Sequence, residues 1–191
     1  MNDVPRLGDS VNDETSVLAV RKWVETFVVE MNLCPFAKRE LVKNRVRFVT
    51  TAATTPEQLL MALQNELELL NADSSVETTL LIHPEVLQDF YDYNDFLSCA
   101  DRLLLDMQLE GTYQIASFHP DYQFGGTRPS DAENYTNRAP YPILHLLRED
   151  SLERVIADYP DVDDIPERNI ELMNTLGHDK LRALLQSCFK A

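Results

Sequence analysis

The chain has 191 residues, a formal net charge of -15 and 44% hydrophobic side chains. That length suits one domain with a core of its own, and no apolar run approaches the roughly 20 residues of a membrane span. The acid excess argues against nucleic acid and anionic membranes as partners, because both require a basic footprint.

Residues 1–13 are polar and acidic and read as a disordered leader without the apolar stretch of a signal peptide. Residues 14–191 read as a single domain. Cys34, Cys99 and Cys188 are odd in number and far apart, which predicts reduced thiols and a cytoplasmic location. The first helix is expected from Glu14 to Met31, with Val17, Val20, Val24, Phe27, Val28 and Met31 on one face. Asn32 and Pro35 end it in a tight exit turn. Five basic residues against one Glu follow between Lys38 and Arg47; they read as a solvated face, or as a segment that steers a small anion.

Val46 to Thr50 is β-branched and aromatic and reads as a strand. Thr55, Pro56 and Gln58 open a second helix with a capping box. Thr78 to Ile82 reads as a second strand, about Tyr91 to Leu109 as a helix ended by Gly111, and Thr112 to Phe118 as a third strand. Each strand is linked to the next through a helix, the pattern of parallel strands and right-handed crossovers. Beyond His119-Pro120 the chain loses periodicity for over twenty residues, which marks a functional loop. Ile143 to Arg148, Ser151 to Asp158, Pro166 to Gly177 and Asp179 to Phe189 are then expected to be helical, giving a helical C-terminal part over residues 143–191. The fold class is therefore α/β: a short, mostly parallel sheet with flanking helices and a helical C-terminus. The alternative is an α+β ferredoxin-like sandwich, which needs an extra antiparallel strand; Tyr122 to Gly126 is the segment that could supply it.

Ligands of open parallel sheets bind beyond the carboxyl ends of the strands. There, Thr54 and Thr55 offer a helix N-terminus to an anion. His83 and His119 each leave a strand just before a proline, which holds their backbone extended. A rim imidazole suits acid–base work, and Asp121 is placed to orient His119. Read as helical, His145 and Arg148 stand three residues apart on one face. Arg138 and Arg148, with Asn137, are the candidate clamp for an anion; Arg128, in Gly125-Gly126-Thr127-Arg128, is a further candidate. Cys34 is a candidate nucleophile against a default role as a small buried apolar group. His83, His119, His145 and Asp121 include metal-ligand types, but no spacing matches a metal motif, so no metal is assigned and the cofactor is unknown.

Three groups of residues carry a resemblance: Asn32-Leu33-Cys34-Pro35-Phe36-Ala37; Ser117-Phe118-His119-Pro120 with Tyr122 and Phe124; and Asn137-Arg138-Ala139-Pro140-Tyr141-Pro142 with His145-Leu146-Leu147-Arg148-Glu149. Over about Val17 to Gly177 the chain resembles a bacterial family known only as a domain of unknown function. The resemblance implies a small soluble protein, groups Cys34, His119, Arg138, His145 and Arg148 as motif positions, and supplies no reaction, substrate or cofactor. Two functions fit these readings. One is an enzyme on a small anionic metabolite, with His119 as acid or base, Asp121 its orienter, His145 assisting, and Arg138 and Arg148 as clamp. The other is a non-catalytic metabolite-sensing or protein-assembly module. The first requires His119 and an arginine to converge on one pocket; the second has those side chains tied to backbone.

Overall fold

A computed structural model describes residues 13–157, 159 and 161–190. Of the expected leader, residues 1–12 lie outside the described residues, as does Asp158. Four strands form one mixed sheet: β1 (Val46–Thr50), β2 (Thr78–Ile82), β3 (Tyr113–Phe118) and β4 (Ile143–Arg148). Their order is β1-β2-β4-β3, with β1 parallel to β2 and β4 antiparallel to both neighbours. The fold is thus mixed α/β with a helical C-terminus.

The largest correction concerns Ile143–Arg148, expected as a helix and found as an inner strand. Its leucines favour helices intrinsically. However, a strand covered on both faces is apolar on both faces and loses its alternation, and a run this short cannot be assigned by period. Leu144 and Leu146 pack into the core on one side of the sheet, and Ile143 into the core on the other. This strand, not Tyr122 to Gly126, supplies the antiparallel member.

One face of the sheet is covered by α3 (Pro56–Ala72) and α4 (Phe90–Asp106). Thr55 caps α3 as expected, its Oγ1 accepting from the Gln58 N–H at 3.3 Å. Leu59, Leu63, Leu67 and Leu70 of α3 meet Tyr93, Phe96, Ala100 and Leu104 of α4 over Leu81, Leu144 and Leu146. Both helices are crossovers between strands that run the same way. Moving in one direction along the sheet with one hand puts both on one face.

The other face is covered by α1 (Asp13–Trp23), which continues into a π-helical stretch (Val24–Glu30), and by α6 (Ile165–Leu176) and α7 (His178–Ser187). The apolar stripe of the expected first helix is real, but its second half is wound with the wider i→i+5 pattern. Such stretches are rare and common at functional sites. Asn32 ends it in the left-handed conformation, φ 54°. Arg168 and Asn169 of α6 fasten this turn, donating to the carbonyls of Asn32 and Leu33 at 2.9 and 2.8 Å. The short α2 (Ala37–Val42) and α5 (Glu149–Ala157) complete this layer. The basic segment is largely paired: Arg39 and Arg45 with Glu40, Arg45 with Glu77, and Arg47 with Glu66.

Candidate functional site

The sheet order decides which candidates meet. Because β1 and β2 are parallel and β2 and β3 both oppose β4, all three chain exits share one edge. His83 and His119 both stand there against Tyr93, with ring centroids 5.7 and 5.1 Å from the phenol. The Tyr93 hydroxyl donates to the Ile143 carbonyl at 2.7 Å and accepts from the Phe118 N–H at 3.0 Å, joining β3 to β4 where the ladder opens.

Both rim imidazoles are tied to backbone. His119 Nδ1 accepts from the Asp121 N–H at 3.0 Å, so Nε2 carries the proton and donates to the Leu87 carbonyl at 3.2 Å. The group holding His119 is therefore the amide of Asp121, while its carboxylate acts only through space. His83 donates from Nδ1 to the Val86 carbonyl at 3.0 Å, and its buried Nε2 has no partner. Burial pushes His83 down to about 4, and it lowers His119 as well, against the weaker opposing pull of the Leu87 carbonyl and Asp121. Thr54 donates from both N–H and Oγ1 to Gln58 Oε1 at 2.9 and 3.2 Å.

The long loop holds itself together. Arg138 donates to the carbonyls of Tyr122 and Pro129 at 3.1 and 2.9 Å, and its guanidinium lies 4.8 Å over the Tyr135 ring. Asn137 donates to the Ser117 carbonyl at 3.1 Å, and exposed Arg128 pairs with Asp131. Asn134, not singled out in the sequence, is the hub. Fully buried, it accepts from the Phe124 N–H and Thr127 Oγ1 and donates to the Arg128 carbonyl.

Arg148 is elsewhere. It pairs in register with Tyr113 at the first residue of β3, whereas Arg138 lies beyond the other end of β4. The strand between them is about 17 Å long. Arg148 donates to the carbonyls of Leu70, Asp73 and Val76 and to the Tyr113 hydroxyl. A cation on the last carbonyls of α3 is favoured by the helix dipole. The two guanidinium groups do not form one clamp. His145 and Arg148, three apart in a strand, point to opposite faces.

His145 lines a cavity of about 500 Å³ on the α1 side of the sheet, near the edge opposite the rim histidines. The floor is Val46, Thr78, Leu80, Ala116, His145 and Leu147. Trp23, Val24 and Val28 form one wall, where the π-helical stretch begins. The turn Cys34-Pro35-Phe36-Ala37 and Glu40 form another, and Leu152, Val155 and Tyr159 close the third. The two motif segments around Cys34 and His145, over a hundred residues apart, meet here.

Hydrogen bonding assigns the His145 tautomer. Thr78 Oγ1 donates its one proton to the Leu146 carbonyl at 2.6 Å. It can therefore only accept from His145, at 2.7 Å, so Nε2 carries the imidazole proton and Nδ1 is a lone-pair acceptor. Burial pushes His145 down to about 4. Burial also raises the Cys34 thiol, outweighing the Phe36 and Ala37 N–H groups that lower it, so sulfur stays protonated. Among the described residues, no group of three or more His, Cys, Asp or Glu side chains converges as a metal site, and His83, His119, His145 and Asp121 are not gathered.

The fold and this cavity define a mixed α/β protein with a partly open, mostly apolar pocket, in which no helix among the described residues is long and apolar enough to cross a membrane. The chain belongs to the family described as "Protein of unknown function (DUF1415)", which matches residues 15–183. No curated protein and no solved structure matches it.

Proposed function

We propose that this protein is a small-molecule-binding module whose ligand occupies the cavity between the sheet, the π-helical stretch and α5, and that the rim histidines and loop arginines are architectural. The observation that carries the reading is the cavity itself. Its volume of about 500 Å³ falls within the size range of ligand sites, and its walls are mostly apolar with a few polar groups. The catalytic reading is the weaker one. His119 has both ring nitrogens bonded to backbone. His145, at about 4, is a poor general base at neutral pH, where catalytic pKa values lie close to the working pH.

Trp23 is the chain's one tryptophan and lines the cavity, so its fluorescence is a built-in reporter. Titration with a panel of aliphatic and aromatic fragments should change Trp23 emission saturably and raise the unfolding temperature. Ala116→Leu, which fills the floor, should abolish both responses while the variant stays folded. Ligands that raise stability equally in wild type and Ala116→Leu would refute the cavity as the site.

A further inference from the structure

We infer that the ligand of this pocket has an apolar body and that α5 is the cover it holds in place, with Leu152, Val155 and Tyr159 closing on it. This rests on the pocket being the ligand site. Among the described residues, α5 is the one α-helix that buries none of its side chains. Leu152 and Val155, three residues apart, share a face. Both are half-buried and both line the pocket, as does Tyr159 just beyond the helix end. None of the three packs against the buried residues of either core. Tyr159 rests edge-on against Phe36, with ring centroids 5.4 Å apart, and Phe36 also lines the pocket outside both cores. Across the space stand Val24, Leu80 and Phe118, which do belong to the core on that side of the sheet. The pocket thus separates the core from an apolar outer wall.

Little else fastens α5. Its first residue, Glu149, donates its N–H to the Thr112 carbonyl at 3.0 Å. Arg154 donates only within the helix, to the Asp150 carbonyl and the Ser151 hydroxyl at 3.0 Å each. Among the described residues no ion pair ties α5 to another element. A nine-residue helix is not stable alone in water; its stability comes from packing an amphipathic face. Here that face meets the pocket, so the partner it lacks is whatever fills the space. An apolar body there takes the inner and outer walls out of water together, and the gain grows with the area removed. The face turned inward also favours a small molecule over a second protein chain. Leu152 and Val155 look into a space of about 500 Å³, the size of a ligand site, while Ile156 is the exposed residue of the helix.

The test is hydrogen exchange at the α5 amides of the full chain, with N-phenyl-1-naphthylamine and 1-decanol as aromatic and aliphatic probes. Without probe these amides should exchange at least about tenfold faster than those of β4, and a saturating probe should slow them about tenfold or more. Leu152→Ser combined with Val155→Ser should weaken probe binding, followed by Trp23 emission, at least about tenfold. Ile156→Ser, on the exposed side of the same helix, should leave affinity within about twofold; urea midpoints check that each variant is folded. Equal weakening by Ile156→Ser, or α5 amides already as protected as those of β4 without probe, would overturn the inference. So would slowing of α5 exchange by higher protein concentration alone, which would assign the face to a second copy. Binding that Ala116→Leu abolishes, with α5 exchange unmoved and the double variant equal to wild type, would overturn the cover and leave the pocket reading standing. Neither probe binding wild type, with Ala116→Leu indistinguishable from it, would overturn both.

Discussion

The burial of His83 has a measurable consequence in stability against pH. Its side chain is fully inaccessible and its pKa is pushed down to about 4 by burial, against 6.5 when exposed. Above pH 6.5 both native and unfolded chains are neutral at this site and it contributes no pH dependence. As pH falls below 6.5 the unfolded chain takes up a proton that the native chain refuses, so stability is lost, and the loss continues down to about 4. That depression limits the effect to about 3 kcal/mol. Between pH 7.5 and 5 the same relation gives about 2 kcal/mol. His145, also near 4, adds a loss of the same sign. Falling self-repulsion in a chain of charge -15 works the other way. The informative quantity is therefore the difference between wild type and His83→Gln, in which the glutamine amide can still donate to the Val86 carbonyl. Urea unfolding followed by Trp23 emission, with constant m-values, should show wild type losing about 2 kcal/mol more than the variant across that window. Stability curves that run parallel to within about 0.5 kcal/mol would mean that His83 protonates freely in the native protein, and the argument from burial would fail.

Two further perturbations separate the roles assigned to the rim and to the arginines. Tyr93→Phe leaves the Phe118 N–H and the Ile143 carbonyl without the phenol, so stability should fall by about 2–4 kcal/mol, or about 5–12 °C in a thermal melt; a shift below about 1 °C would show that the bridge is not needed. Arg148→Met strips carbonyls at the end of α3 and should lower global stability in a urea titration by about 2–4 kcal/mol. Arg138→Ala should instead act locally, speeding hydrogen exchange at Phe124 and Asn134 by about tenfold or more while the sheet amides stay protected. Equal effects of the two arginine variants on sheet protection would contradict the distinction.

Much of the fold was legible because its signals are local. Thr55-Pro56-Glu57-Gln58 opens α3 at the residue its capping chemistry requires, and the strands β1 to β3 carry β-branched or aromatic residues between turn formers. What escaped is non-local. The π-helical winding of Val24–Glu30 leaves the apolar stripe looking like that of an α-helix. The short α2 hides inside a basic run whose charges are matched by Glu66 and Glu77 from distant elements. Asn134 acts through three bonds within its own loop, and its residue type alone does not distinguish a hub from any other asparagine.

The site was legible as residues and not as a place. Cys34 and His145 were both singled out, yet nothing in their spacing joins them, because the cavity between them is empty space bounded by seven separate segments, 23–28, 34–40, 46, 77–80, 116–118, 145–148 and 151–159. The decisive ambiguity is the state of Ile143–Arg148. Read as a helix, positions 145 and 148 share a face, and an imidazole and a guanidinium make an anion site. As a strand, an odd separation sends them to opposite faces. His145 then joins Thr78 and the cavity, while Arg148 closes the end of α3. The imidazole–guanidinium pair expected of a helix is undone by that one element, because Nε2 of His145 is committed to Thr78 and the guanidinium of Arg148 to the carbonyls of Leu70, Asp73 and Val76.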